Sequence, residues 1–246
     1  MANVALVKGV VRYDIIFKSL ELIQEDVINK VSSSKRIVIK PDLLHLNGCS
    51  ELTNADSVKA VLDFIEEFTN KKITIAEGSF SDEDVFHRHN YHDLLKDYSV
   101  KFLNLNNDDS APIKLGKTTI NISKTLLESD FRISVAVLKR DRTSLLGAIP
   151  NMVIGSVSEN DKTDFYKSKT FLRNTSEIFK LIRPGLSVID GFDSVKTNLK
   201  TSLAIASKDA VSADTVASKI LKTKRSYLGY CKKSKIKMVG SKLSEL

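Results

Sequence analysis

Short apolar runs alternate with segments of helical periodicity along this chain, and that alternation restricts the folds open to it. The runs that read as strands are NVALVKG (3–9), RIVIKP (36–41), KKITIAEG (71–78), VKFLNLN (100–106), FRISVAVLK (131–139), GLSVIDGF (185–192) and TSLAIAS (201–207). Residues 13–31 and 57–68 place apolar side chains at helical spacing, and residues 210–221 read as a helix rich in small residues. The pattern predicts an α/β fold with a largely parallel sheet, flanked by helices and built from repeated βα units.

One stretch departs from this alternation. Residues 140–170 are rich in Ser, Thr, Asn, Asp and Lys, and we interpret them as a long irregular region, which in a folded domain is either functional or mobile. Within it, LLGAIPNMVIG (145–155) is apolar yet contains glycines that allow close backbone approach, and Asn151 can exchange hydrogen bonds with a ligand. A hydrophobic loop packed on the sheet explains the same residues equally well.

Length and composition are typical of a soluble globular protein. The 246 residues, 42% of them hydrophobic, suffice for a sizeable core, either as a single α/β unit over 1–246 or as two lobes dividing near 110–130. The N-terminus lacks a secretory pattern, and no apolar run reaches the roughly 20 residues that span a bilayer. Cys49 and Cys231 are too few for a disulfide framework or a Cys-ligated cluster. We expect a cytoplasmic location and no membrane partner; the sequence names neither a cofactor nor an oligomeric state.

The net charge of +8 is distributed unevenly. Residues 1–110 carry a net charge of −5 and residues 111–246 a net charge of +13, with nine Lys or Arg residues between Lys219 and Lys242. Such a field favours anionic partners, either a small anionic ligand or nucleic acid. The alternative is a solvated lysine-rich surface.

Charged side chains follow several of the predicted strands at the point where each strand ends. Lys40 and Asp42 follow the second strand, Glu77 ends the third, Lys139 the fifth and Asp190 the sixth. The carboxyl ends of parallel strands lie at one edge of a sheet, where ligands of open α/β folds bind. We therefore predict an anion-binding cleft in which lysines neutralise the ligand and carboxylates move protons or accept hydrogen bonds.

We assign two sets of candidate residues to this cleft. The catalytic candidates are Lys40, Glu77, Lys139 and Asp190. The ligand-binding candidates are Asp42, Thr53, Ser79, Asn151, Ser207, Asp209 and Asp214. The alternative is that strand ends become polar in any fold, and that Asp and Ser there only cap the helices that follow.

Three of the four histidines lie in HRHNYH, at positions 87, 89 and 92. A metal site on one helix favours two imidazoles four positions apart. The spacings here do not match, so we interpret these residues as solvent-exposed histidines of a surface helix and predict no metal site.

The order of several motifs resembles the family called domain of unknown function 362. The segments that carry the resemblance are NVALVKGVVRYD, IVIKPDLL, TNADSVKAVLDFI, ITIAEGS, LLESDFRISVAVLK, LIRPGLSVIDG, ASKDAVSADTVA and the closing SYLGYCKKSKIKMVG. The resemblance covers nearly the whole chain. It implies that Lys139, Asn151 and Gly155 occupy positions of the family's motif.

The chain departs from this family's pattern at three positions. Pro150 stands where the family has a second lysine, Asp42 where it has asparagine, and Asp141 or a neighbour where it has histidine. The layout is also distantly similar to the nickel-pincer lactate racemases, in which a lysine in a comparable loop anchors the cofactor. Because Pro150 cannot form that linkage, the resemblance implies a diverged member that binds a ligand without the family's full chemistry.

Three functional hypotheses follow from these residues. The first is an anion-binding cleft for a small carboxylated or phosphorylated metabolite, with the presence of catalysis left open. The second is a nucleic-acid-associated protein that uses the basic C-terminal half. The third is a non-catalytic partner-binding protein with a vestigial cleft.

Overall fold

Strands and helices alternate through a computed structural model that describes residues 1–45, 51–80, 84–141, 144–192, 202–223 and 226–245. The strands are β1 (Ala2–Lys8), β2 (Ile37–Pro41), β3 (Ile73–Glu77), β4 (Val100–Asn104), β5 (Ser110–Leu115), β6 (Thr118–Ser123), β7 (Phe131–Val137), β8 (Lys139–Asp141), β9 (Ser144–Leu146), β10 (Leu186–Gly191), β11 (Leu203–Ser207) and β12 (Ile236–Gly240). The helices are α1 (Arg12–Glu21), α2 (Gln24–Ser33), α3 (Ala55–Glu66), α4 (Val85–Arg88), α5 (Leu94–Asp97), α6 (Lys124–Glu128), α7 (Ala148–Ser156), α8 (Glu159–Lys167), α9 (Phe171–Phe179) and α10 (Ala210–Ile220). Cys49, Lys224 and Arg225 lie outside the described residues.

Eight strands form one sheet in the order β12-β1-β11-β10-β7-β2-β3-β4. Neighbouring strands are parallel except at β11, which runs antiparallel to both β1 and β10. The predicted α/β fold with a largely parallel sheet flanked by helices is therefore confirmed. The sheet takes strands from both sides of residues 110–130, and the division of the chain into one unit or two lobes stays a prediction.

Apolar side chains cover both faces of the sheet, since successive residues of a strand point to opposite faces. In β2, Val38 belongs to one hydrophobic cluster, whereas Ile37 and Ile39 belong to the other. The first cluster also contains residues of α7, α9 and α10, and the second contains residues of α1, α2 and α3. Strands buried on both faces read as continuous apolar runs, which is why the sequence predicts them well.

Two local predictions are wrong. The described residues of this region, 140–141 and 144–170, are largely regular: β8 pairs antiparallel with β9, and α7 and α8 follow. Every residue of α7 is buried, so this helix lacks the polar stripe by which helical periodicity is recognised. Residues 13–31 form two helices because the backbone of Ile23, with φ at −122°, leaves the helical region.

None of the helices in the described ranges has the length and apolar character that a bilayer crossing requires.

Candidate functional site

Four of the predicted residues meet where β2, β3 and β7 end. Lys40 and Glu77 form an ion pair, with 2.6 Å between Nζ and Oε1. Lys139 forms a second ion pair with Asp42, with 2.9 Å between Nζ and Oδ2. All four residues are at most 1% exposed. The two lysines that we expected to attract an anion are thus each neutralised by a carboxylate of the same chain.

Lys40 uses all three hydrogens of its ammonium group inside the protein. Besides Glu77, it donates to Oδ1 of Asn151 at 2.8 Å and to the carbonyl of Pro41 at 3.1 Å. Asn151 in turn donates to the Lys40 carbonyl and to the hydroxyl of Ser134, each at 3.0 Å. Burial lowers the pKa of Lys40, and the nearby Glu77 carboxylate opposes that shift. Together these bonds tie α7 to β2 and β7.

Glu77 is equally saturated. Its Oε2 accepts a hydrogen bond of 2.6 Å from the backbone N–H of Leu43, and its Oε1 accepts one of 2.7 Å from Gly78. These bonds fix the backbone after β2 against the backbone after β3. A buried carboxylate with an ammonium and two N–H donors is well compensated for its loss of water.

Gly155 makes this close approach of α7 possible. A Cβ added there would lie 2.1 Å from Cε of Lys40, 2.5 Å from its Nζ and 2.6 Å from Oε1 of Glu77. Only glycine leaves room for the ion pair beneath the helix.

Replacing Gly155 by alanine is therefore expected to lower the free energy of unfolding by about 1–3 kcal/mol, since a methyl group has to be forced into a filled core. Urea denaturation measures the change. Gly229→Ala is the matched control because its added Cβ meets no described atom within 4 Å. Equal stability of the Gly155→Ala variant and the wild type would show that the helix can move away from the ion pair at no cost.

Asp42 and Lys139 are held differently. Lys139 also donates to the carbonyl of Glu51 at 2.9 Å, and the backbone N–H of Asp42 donates to the hydroxyl of Thr53 at 2.8 Å. That hydroxyl donates onward to the Val135 carbonyl at 2.7 Å, so Thr53 joins β7 to the segment after β2. Oδ1 of Asp42 is buried and has no hydrogen-bond partner among the described residues. An unpaired acceptor of this kind is uncommon in a native fold.

Lys162, on α8, is a buried residue of this region that sequence reasoning missed. Its ammonium donates to the carbonyls of Gly78 at 2.7 Å and Ser79 at 3.2 Å and also to the side chain of Asn106. Burial lowers the pKa of Lys162 to about 8. Ser79 was predicted as a ligand-binding residue, and it contacts Lys162 through its backbone carbonyl. Lys162 lies in a polar stretch, ENDKTDFYK, in which nothing distinguishes it from a solvated lysine.

Asp190, at the end of β10, belongs to a separate cluster. Its Oδ2 accepts hydrogen bonds from Arg12 at 3.1 Å and from the hydroxyl of Ser57 at 2.7 Å, and its Oδ1 accepts one from the backbone of Phe192 at 2.8 Å. Burial raises the pKa of Asp190, and these donors oppose the shift. Sequence reasoning missed Arg12, which lies four residues after the end of β1 and begins α1.

Asp214 caps helix α7 from the neighbouring helix α10. Its two oxygens accept hydrogen bonds from the backbone N–H groups of Ala148 at 2.7 Å and Ile149 at 2.9 Å. The third residue of the helix, Pro150, has no N–H to satisfy, and the N–H of Asn151 bonds to the Gly147 carbonyl. Pro150 therefore completes a buried helix start, and its ring offers no amine. The residues at this position do not fit a cofactor anchored through a lysine.

Ser207 and Asp209 lie at the opposite edge of the sheet. We expected β11 to end beside the other strands, and that expectation is wrong because β11 is antiparallel to its neighbours. Ser207 donates to the Asn3 carbonyl, and Asp209 is the N-cap of α10, accepting from the Val211 N–H at 3.2 Å. Strand direction is set by pairing partners, and the residues of β11 do not encode it.

A cavity of about 520 Å³ is lined in part by Thr53, whose hydroxyl accepts the hydrogen bond from the Asp42 backbone. It is lined by residues between 52 and 59 on one side and between 88 and 97 on the other, among them Thr53, Lys59, Arg88 and His89. Its volume is in the range of small-molecule sites. His89, which we expected to be exposed on a helix, lies just beyond the end of α4 and is half-buried.

The fold is similar to that of the lactate racemase apoprotein from Thermoanaerobacterium thermosaccharolyticum, with a TM-score of 0.55 and 16% sequence identity. The similarity covers 82% of this chain and 53% of that chain, so the present chain spans about half the length of that protein. At this identity the likeness shows the fold alone. No curated protein matches the chain in sequence.

One family model does match, and it carries the description Domain of unknown function (DUF362). The matched residues, 37–219, run from β2 almost to the end of α10 and include both buried ion pairs, Asn151, Gly155 and Asp214. Because this match covers well over half of the chain, the chain belongs to the DUF362 family.

Proposed function

We propose that this chain binds a small carboxylated or phosphorylated metabolite at the carboxyl edge of its sheet, with Lys139 and Asp42 as the contacting pair. The observation that carries the proposal is the buried Oδ1 of Asp42, which has no hydrogen-bond partner among the described residues, beside the Lys139 ammonium. Lys40 and Glu77 use their hydrogen bonds within the chain, and they hold the backbone at this edge of the sheet in place.

The chemistry of the two side chains defines the ligand. An unpaired buried acceptor costs about 1–3 kcal/mol, which a ligand donor such as a hydroxyl removes. Lys139 has two acceptors among the described residues, Asp42 and Glu51, which leaves the third hydrogen of its ammonium for an anionic oxygen. A metabolite with an anionic group next to a hydroxyl satisfies both atoms. Lactate has this arrangement, and so does a phosphorylated sugar or polyol.

The ligand is tested with two probes, lactate and inorganic phosphate, by isothermal titration calorimetry. Loss of a hydrogen bond to a charged group costs about 1.5–3 kcal/mol, so Lys139→Met is expected to weaken binding by about 10-fold or more. Asp42→Asn keeps the shape of the side chain but can replace the unpaired carboxylate oxygen by an amide donor. This variant is expected to weaken the binding of lactate more than the binding of phosphate.

The matched control is Lys208→Met. Lys208 also pairs with an aspartate, Asp26, at 2.9 Å, but it is half-exposed and far along the chain from the proposed contacts. Thermal melts establish that each variant is folded. Folded Lys139→Met and Asp42→Asn variants that bind both probes as well as the wild type would refute the proposal.

A second candidate, nucleic-acid binding, is supported by exposed lysines in and just before the edge strand β12. Lys232, Lys233, Lys235 and Lys237 are exposed, and β12 is the outermost strand of the sheet. We rank it second because lysines also keep edge strands from pairing with other chains. Affinity for duplex DNA that falls steeply with salt, and that weakens in Lys233→Glu/Lys235→Glu but not in Lys139→Met, would favour it.

A further inference from the structure

Two histidines from different loops face each other beside the cavity. His45 lies after β2, His89 lies after α4, and their Nε2 atoms are 3.2 Å apart. The ring centroids are 5.3 Å apart, so the Nε2 atoms are the parts of the two rings that approach each other. Both residues are half-buried. The sequence did not suggest this pair because the two histidines are 44 residues apart.

The two imidazoles cannot both carry a proton on the facing nitrogens at this distance. At least one facing nitrogen therefore presents a lone pair. Neutral imidazole is the form of histidine that binds metal ions.

The separation also matches that of two ligands on one ion. With metal–nitrogen bonds of about 2.0–2.1 Å and a tetrahedral angle, two imidazole nitrogens lie about 3.3 Å apart. In the described ranges no group of three or more His, Cys, Asp or Glu side chains is arranged to hold an ion. The described chain therefore supplies two ligands, and His89 lines the cavity from which water or a ligand can supply the others.

We propose that His45 and His89 form a two-histidine binding site for a divalent transition-metal ion. Imidazole ligands suit Zn²⁺, Cu²⁺ and Ni²⁺. The contact between the two Nε2 atoms itself involves neither Lys139 nor Asp42. Arg88 is the cation nearest in sequence, and its charge favours neutral histidine while opposing the bound ion.

The test is titration of Zn²⁺ into the full chain by calorimetry at neutral pH, after dialysis against a chelator. The wild-type protein is expected to bind one equivalent of Zn²⁺ in a saturable manner. His45→Ala and His89→Ala are each expected to weaken the affinity for Zn²⁺ at least 10-fold. Loss of a group that only hydrogen-bonds to a metal ligand already lowers metal affinity about 10–100-fold, so loss of a ligand itself should lower it at least as much.

His87→Ala is the matched control, since His87 is exposed and lies near His92 rather than His45. His89→Gln keeps a hydrogen-bonding side chain and serves if the alanine variant does not fold. Absence of saturable binding would show that the pair is held by a hydrogen bond alone and would overturn the site. Unchanged binding in folded His45 and His89 variants, or loss only in His87→Ala, would overturn it as well. Lys139→Met should bind Zn²⁺ normally, which separates this result from the test of the anion site.

Discussion

Replacing Glu77 by leucine is expected to lower the free energy of unfolding by about 3–5 kcal/mol, because the change leaves the Lys40 ammonium buried without its counter-charge. Lys40 and Glu77 are both fully buried, and 2.6 Å separates the paired atoms. The backbone N–H groups of Leu43 and Gly78 lose their acceptor in the same step. Urea denaturation at neutral pH measures the loss as a lower midpoint with an unchanged slope.

The matched control is Asp93→Leu. Asp93 pairs with Lys96 at 2.7 Å, nearly the same distance, but both side chains are exposed to water. Exposed pairs contribute little, so no measurable loss is expected there. A small effect of Glu77→Leu, similar to that of the control, would show that Lys40 finds another partner or water when Glu77 is removed.

The double variant Lys40→Met/Glu77→Leu separates the pair from its surroundings. If the two groups depend on each other, the double variant is expected to lose less stability than the sum of the two single variants, by about 1–3 kcal/mol. Methionine and leucine are close in volume to the residues they replace, and hydrophobic replacement of a whole buried ion pair is often tolerated. Additive losses would contradict the coupling.

Replacing Asp214 by alanine is expected to cost about 3–5 kcal/mol, since three buried donors lose their acceptor. They are the N–H groups of Ala148 and Ile149 and the hydroxyl of Tyr227. Asp209→Ala is the control on the same helix: it removes an ordinary N-cap and should cost about 1 kcal/mol. Equal losses in both variants would show that α7 does not depend on the Asp214 carboxylate.

The same carboxylate has a pH signature. Burial raises the pKa of Asp214 to about 6, and its hydrogen bonds oppose the shift. The folded state then holds this proton more tightly than the unfolded chain, whose aspartate pKa is about 3.9. Stability from this group is therefore full below about pH 4 and falls by about 3 kcal/mol as the pH rises through 6. The measurement is the free energy of unfolding of the wild type and of Asp214→Asn as a function of pH. If the difference between the two proteins does not show that fall, the raised pKa is contradicted.

The sequence predicts the strands and the position of the first ion pair for a physical reason. Strands buried on both faces are continuous apolar runs, so their ends are visible where Lys40 and Glu77 interrupt them. Both residues were assigned to one edge, and they lie in contact there. The identity of their partners was not predictable, because the sequence does not say which carboxylate a buried lysine meets.

The remaining misses come from information that lies outside the segment concerned. Helix α7 is buried on all sides and shows no amphipathic period, so residues 145–155 read as a loop. The direction of β11 depends on its pairing with β1 and β10, which the sequence of β11 does not show. For that reason we predicted Ser207 and Asp209 at the wrong edge of the sheet. Lys162 and the His45–His89 pair are tertiary contacts between segments far apart in sequence.

Native mass spectrometry of the purified wild type, after a high-salt wash and incubation with lactate and phosphate, tests the anion site most directly. One stoichiometric ligand mass is expected on the wild type and on Lys208→Met, and none on Lys139→Met or Asp42→Asn. A bare polypeptide mass for the wild type, or the same added mass on all four proteins, would contradict a ligand site at Lys139 and Asp42.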